Sequence, residues 1–228
     1  PWNEIPVLPG MSGTYGNETI TEHSRRFFGD APSFVFTLMD VWVLDPAIWG
    51  RLNVASWVPV DHEPAPDPVR DFLAHSGSIP IAMSRFGEKQ LADLDPLYVP
   101  HAIDTSVLRP LDRSECREEL GLPTDCFLVG MVAANKGAPS RKNFADAFRG
   151  FKALSDKHPD ARLYVHSEAT GRFGGEDLPK LLTACGIDPD LVYWPDQYRA
   201  VHLPWPGEHM AKVFSAFDVL LSPSAGEG

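Results

Sequence analysis

Apolar residues in this chain gather in short, nearly unbroken runs, at 33–39, 54–60, 79–83 and 97–99 in the first half and at 127–133, 162–166, 191–194 and 218–221 in the second. A strand wetted on one face alternates apolar and polar side chains, whereas a strand covered on both faces of a parallel sheet is apolar throughout. Between the runs, apolar positions recur every three or four residues, as at Phe144, Ala147, Phe148, Phe151 and Leu154, which is the spacing of one helix face. Helices are predicted on this ground at 19–28, 68–75, 86–93, 113–120, 143–157, 177–185 and 207–216. Strand alternating with helix is the pattern of an α/β fold built on parallel sheets.

The alternation breaks once. Residues 103–123 hold Asp104, Pro110 and Asp112 and a short charged helix closed by Gly121, a residue type suited to the left-handed helix end. The expected organisation is an amino-terminal α/β domain at 1–104, a linker with its short helix at 105–125, and a carboxy-terminal α/β domain at 126–228. An α/β domain seldom opens with thirty residues of loop and helix, and the run at 218–221 has no covering helix after it. Both domains are therefore expected to be incomplete, with sequence missing before Pro1 and after Gly228.

One junction concentrates charge. The apolar run at 127–133 leads into Asn135-Lys136-Gly137 and on through Arg141-Lys142-Asn143 to the amphipathic helix. Ligands of open parallel sheets bind beyond the carboxyl ends of the strands, and a helix N-terminus there offers unbonded N–H groups to an anion. Lys136, Arg141 and Lys142 add three positive charges, more suited to a diphosphate than to a single carboxylate. A solvated basic loop is the plain alternative. In the first half every run ends in polar residues: Asp40, then Asp61-His62, then Ser84-Arg85, then His101. An Asp-His pair at a strand end serves in metal sites, in triads, or only in structure. Trp42, Trp57 and Trp194 are placed to stack on a ring ligand, although packing is the commoner use of tryptophan.

Composition narrows the partners. A hydrophobic content of 43% fits a globular chain, and a formal net charge of −11 argues against general affinity for nucleic acid, which is bound mainly through cation excess. The three cysteines, Cys116, Cys126 and Cys185, show no C-x-x-C spacing, so neither a disulfide framework nor a zinc site is suggested and a reducing cytoplasm is expected. No apolar run approaches the ~20 residues that span a bilayer, so no transmembrane segment is expected; peripheral membrane contact stays open.

With these residues in view, the chain resembles the large family of two-domain, GT-B-type retaining glycosyltransferases that use nucleotide sugars, the fourth family, often labelled glycosyl transferases group one. The closing Phe217-Asp218-Val-Leu-Leu-Ser-Pro223-Ser224-Ala-Gly226-Glu227-Gly228 is similar to its hallmark. In the family that hallmark continues to a second glutamate, and this sequence stops short of it. The loop 135–143 resembles the family's diphosphate loop, with Lys142 matching the lysine that precedes the helix and Asn135-Lys136 standing where an arginine is usual. Residues 98–104 resemble its interdomain segment, and Asp61-His62 falls where a histidine commonly faces the donor sugar.

The resemblance implies two Rossmann-like domains facing a cleft and transfer of a sugar from a nucleotide diphosphate sugar to an acceptor with retention of configuration. It needs no metal and no cofactor beyond the donor substrate, and polysaccharide biosynthesis is the implied setting. His62 and Glu227 are then the expected catalytic residues. Asn135, Lys136, Arg141, Lys142, Ser224 and Gly226 are expected to bind the donor, with Asp40 and Asp61 on the acceptor side, where a glycan, lipid or protein would sit. The segments 166–168 and 171–175 are expected beside the donor pocket. Without the second glutamate, the 228 residues alone are expected to transfer sugar poorly. Two other readings remain at this stage: a metal-dependent hydrolase using Asp40, Asp61, His62 and His101, and a non-catalytic nucleotide-sugar-binding protein.

Overall fold

The structure, a computed structural model, describes residues 4–10 and 15–225. They divide into two compact units, one up to Ala102 and one from Ile103 onward. In the first unit the strands β1 (Val35–Leu38), β2 (Val54–Val58), β3 (Ile79–Ala82) and β4 (Leu97–Tyr98) form a parallel sheet in simple chain order. Helices α1 (Ile20–Phe28), α2 (Pro46–Trp49), α3 (Asp67–Ser76) and α4 (Arg85–Gln90) accompany it. Its core joins Val54 and Val58 to Val69, Phe72 and Leu73 of α3 and to Trp49 of α2.

The second unit contains α5 (Arg113–Leu120), β5 (Phe127–Val132), α6 (Phe144–Ser155), β6 (Ala161–His166), α7 (Leu178–Ala184), β7 (Val192–Tyr193), α8 (Gln197–His202), α9 (Gly207–Ala216) and β8 (Val219–Leu220). All its strands are parallel, in the order β7-β6-β5-β8. The chain runs outward from β5 to β7 and then returns to the other side of β5. Both faces of this sheet are covered, as the unbroken apolar runs require. On one face Val129, Met131, Leu163 and Val165 meet Phe144, Phe148 and Phe151 of α6 and Leu178 of α7. On the other, Leu128 and Tyr164 meet Cys116, Val213 and Phe217. Gly130 is needed there, since a Cβ at that position would lie 2.1 Å from the Phe217 ring.

Helix α5 belongs to the second unit and is bolted to it by a buried guanidinium. Arg117, only 3% exposed, donates from Nε to the Ala216 carbonyl (2.8 Å), from Nη1 to those of Thr124 and Cys126 (3.3 and 3.1 Å), and from Nη2 to Asp218 (2.7 Å). The Asp218 carboxylate also accepts from the Leu128 amide at 2.7 Å and from Arg113 at 2.5 Å. Burial would raise the pKa of Asp218, but the Leu128 amide and the two arginines outweigh it and hold the group below the usual carboxylate range.

The predicted strands and longer helices are all present, generally trimmed at their ends. Two short helices were not expected. Helix α2 is one turn, with Pro46 at its start and Asp45 capping the Ala47 amide at 2.9 Å. Helix α8 has no buried residue and is started by Asp196, whose carboxylate accepts from the Arg199 amide. Neither shows an apolar period long enough to be read from sequence.

Candidate functional site

Where strand order reverses in an open parallel sheet, the loops leaving the two central strands diverge and open a crevice. In the second unit the reversal lies between β5 and β8. The loop after β5 carries the predicted cations, and the loop after β8 carries Ser224. The two are tied together at this point, because the Ala225 amide donates to the Arg141 carbonyl at 2.8 Å. A cavity of about 600 Å³ opens beside them, lined by 132–136, Arg141 and Lys142 from the first loop, by 166–168 and Phe173 beyond β6, and by Ala200 and Trp205 from the segment after β7.

Lys136 and Arg141 are exposed at this cavity and Lys142 is half-buried. The twelve-residue helix α6 begins immediately after them. Asn143 precedes it in the left-handed region (φ 55°) and makes no side-chain cap to the helix backbone; its amide donates instead to Asp146 at 3.0 Å. The first N–H groups of the helix are thus not used by that residue's side chain, and an N-terminus of this kind favours an anion.

Asn135 has a different part from the one expected. It is buried, and its side-chain amide donates to the carbonyls of Glu168 (2.9 Å) and Glu176 (2.7 Å) while its oxygen accepts from the Glu176 amide (2.9 Å). Those three bonds clamp the 168–176 loop to the end of β5 and leave the side chain committed to position rather than to a ligand. The loop is built to fit: a Cβ on Gly175 would lie 2.2 Å from Asn135 Oδ1, and one on Gly171, where φ is +75°, would lie 2.6 Å from the Gly175 carbonyl oxygen. Inside the loop, the buried Glu168 carboxylate accepts from the Thr170 amide (2.6 Å), the Thr170 hydroxyl and the Arg172 amide (3.0 Å). Burial pushes its pKa up, and these bonds outweigh that and lower it. Gln197, at the start of α8, accepts from the Ala169 amide and donates to the Ser167 and Pro195 carbonyls.

At the end of β6 the wall sets two uncharged groups, His166 and Ser167, beside the Glu168 carboxylate. His166 is 8% exposed and Ser167 6%. Burial, with His209 nearby, pushes the His166 pKa down to about 4, and burial pushes Tyr164 up to about 12. The Tyr164 hydroxyl and His166 Nδ1 are 3.2 Å apart. The Trp205 ring meets His166 edge-on at 4.8 Å and stacks on His209 at 4.5 Å. Trp205, His209, Tyr164 and Gln197 were not singled out from sequence; the one signal was an aromatic between Pro204 and Pro206 in a loop beyond a strand.

The remaining candidates lie elsewhere. Asp61 and His62, after β2 in the first unit, are exposed and paired at 2.6 Å. Asp40 is exposed at the end of β1, and His101 packs against Trp57 at 4.8 Å. Among the described residues no group of three or more His, Cys, Asp or Glu is arranged to hold a metal ion, so the hydrolase reading lacks a donor cluster. Ser224 is half-buried in the loop after β8. Gly226 and Glu227 lie outside the described residues.

The architecture is that of the GT-B glycosyltransferases: two α/β units, each on a four-stranded parallel sheet. Among solved structures the chain is similar to sucrose-phosphate synthase from Thermosynechococcus elongatus, with TM-score 0.60 and 15% identity over 91% of this chain and 56% of that one. It is similar also to a glycosyltransferase from Rickettsia africae, with TM-score 0.59 and 11% identity over 96% of this chain and 59% of that one. No family model matches the sequence. Its curated relatives include two proteins named D-inositol 3-phosphate glycosyltransferase. That of Segniliparus rotundus is 28% identical over 133 residues, 57% of this chain and 26% of the relative. That of Stackebrandtia nassauensis is 29% identical over 142 residues, 60% and 30%. The match thus spans less than a third of the length of these relatives. No described helix is long and apolar enough to cross a membrane.

Proposed function

We propose that the second unit binds the diphosphate of a nucleotide sugar at the β5–β8 crevice and serves as the donor-binding part of a glycosyltransferase. The observation that carries this is three cations on the wall of a cavity large enough for a nucleotide, at the carboxyl end of β5 where the strand order reverses and immediately before the N-terminus of α6. As the bond to the anomeric carbon breaks, negative charge grows on the leaving diphosphate. Fixed cations and N–H dipoles stabilise that charge without reorganising. Lys142, with Lys136 or Arg141, supplies it here, so the chemistry proceeds without a metal. The glycosyltransferase names of the relatives support the reaction class. Retention of configuration, a sugar-binding role for Glu227 with Ser224 and Gly226 beside it, and roles for His62, Asp61 and Asp40 toward sugar and acceptor rest on the sequence resemblance. So does a setting in polysaccharide biosynthesis, whereas a cytoplasmic one rests on the cysteine usage.

Calorimetry with UDP-, GDP- and ADP-glucose, with and without EDTA, tests the proposal. One of the three should bind, and EDTA should leave its affinity unchanged. Lys142→Ala removes a charge-assisted hydrogen bond of about 1.5–3 kcal/mol and should weaken it at least tenfold. Unchanged affinity in that variant would mean the loop is a surface feature only.

A further inference from the structure

The link between α8 and α9 is docked by one side chain. Helix α8 buries no residue, and Leu203, Pro204, Pro206 and Gly207 are exposed. Half-buried Trp205, between the two prolines, packs instead on histidines from two separate elements. The His209 ring of α9 stacks on the indole at 4.5 Å, the His166 ring at the end of β6 meets it at 4.8 Å, and the two imidazoles are 6.3 Å apart. Among the described residues, neither His166 Nε2 nor His209 Nε2 has a hydrogen-bond partner, and both atoms are buried. A neutral ring can leave a nitrogen unbonded at modest cost, whereas an imidazolium needs an acceptor at each N–H and is costly to bury without one.

The charges around the pair add to that cost. Arg199 of α8 lies 5.4 Å from the centre of the Trp205 ring and, with Lys212 of α9, acts on His209. Lys136, Arg141 and Lys142 line the same cavity as His166 from the β5 side. The carboxylates nearby are committed elsewhere: Glu119 of α5 pairs with Lys212, and Glu168 accepts from Thr170 and Arg172. Tyr164, beside His166 on β6, is un-ionised. The indole face favours a charged His209, yet burial and the two cations push its pKa down, and burial pushes that of His166 down to about 4. In an opened, hydrated segment both rings would return to about 6.5.

We propose that residues 203–206 form an acid-released latch, in which Trp205 stays docked on His166 and His209 while both imidazoles are neutral and lets go as they take up protons. Trp205 and His166 both line the cavity, so the latch opens one of its walls. The sign follows from the two states: docking is fully favoured above the open-state pKa and weakens as pH falls toward the docked one. The latch holds whether or not the cavity receives a nucleotide.

The experiment is native-state hydrogen exchange on the 228-residue chain at pH 7.5 and 5.0, in low urea, read at two amides flanking Trp205. These are Leu203, which donates to the Arg199 carbonyl, and Met210, which donates to that of Pro206. Both should open below the global unfolding free energy, through a step nearly independent of urea. The constant of that step should rise about thirtyfold from pH 7.5 to 5.0, as a single histidine moving between about 4 and about 6.5 requires. His166→Phe should remove most of the rise. His209→Gln, on a less buried ring, should reduce it at least about threefold and keeps the test decisive should His166→Phe fail to fold. Opening of Leu203 and Met210 only together with Ala147 of α6, with the full urea dependence of unfolding, would overturn the latch. So would a constant that does not rise in acid, or a rise left intact in both variants.

Discussion

Replacing Asn135 with alanine deletes all three hydrogen bonds that join the end of β5 to the 168–176 loop. Each such bond contributes roughly 0.5–1.5 kcal/mol net, and a buried partner left unsatisfied costs about 1–3 kcal/mol. The Glu176 amide loses the acceptor it has in Asn135 Oδ1, and the Glu168 carbonyl loses a donor in a buried setting. A loss of about 3 kcal/mol in the stability of this loop follows, as three such bonds. Hydrogen exchange at the Glu176 amide reads the clamp directly, and protection there should drop about a hundredfold. Pyrophosphate affinity should fall as well, because the clamped loop and the cation loop share the cavity. Gly175→Ala supplies the matching test from the other side. Its Cβ would lie 2.2 Å from Asn135 Oδ1 but also 2.5 Å from the Asn135 main-chain oxygen. Truncating the side chain relieves only the first contact, so Asn135→Ala should not rescue Gly175→Ala. Unchanged exchange at Glu176 in Asn135→Ala, or rescue in the double variant, would refute the clamp.

Two further outcomes are expected. Arg117→Ala should destabilise the second unit by about 3–5 kcal/mol, because it removes four charge-assisted hydrogen bonds, those to the Ala216, Thr124 and Cys126 carbonyls and the one to Asp218, which keeps Arg113 and the Leu128 amide, and urea unfolding reads it. Stability should also fall with acid. His166, with Tyr164, Trp205 and His209 packed around it and Arg199 and Lys212 near His209, is held neutral down to about 4. Its unfolded value is about 6.5, so the unfolded chain takes up the proton first, and stability present above that pH is lost as pH falls toward the folded value. The displacement corresponds to about 3 kcal/mol, and His166→Phe should remove that part of the slope between pH 6.5 and 4.

The sheets were legible because their strands are covered on both faces, which leaves runs such as 127–133 unbroken and distinct from the helical spacing of Phe144, Phe148 and Phe151. The cation loop was legible because three charges close together in an acidic chain stand out. What stayed hidden depends on contacts distant in sequence. Asn135 looks like a polar loop residue until Glu168 and Glu176 are brought to it, 33 and 41 positions on. Helix α5 reads as a linker because it buries only Cys116 and Arg117, the latter reaching Ala216 and Asp218, and an arginine gives no apolar signal. Strand order is invisible for the same reason: nothing local to 218–221 says that it returns beside β5 rather than extending past β7.

The cavity has two unlike walls, and they should respond differently to salt. On the β5 side, exposed or half-buried Lys136, Arg141 and Lys142 act on an anion across a solvent-reachable gap, and such interactions are screened over about 8 Å at physiological ionic strength. On the β6 side, His166 is buried and neutral, and the Ser167 and Glu168 carbonyls after it accept hydrogen bonds from Gln197 and Asn135. Neutral hydrogen bonds in a fixed, desolvated wall carry no comparable ionic-strength dependence. Raising salt from 50 to 500 mM should therefore weaken UDP, GDP, ADP and pyrophosphate along parallel lines of log affinity against log salt, because the charged side alone sets the slope. Lines of different slope would show that the four are not held by one set of exposed charges, and would undo the division between the two sides.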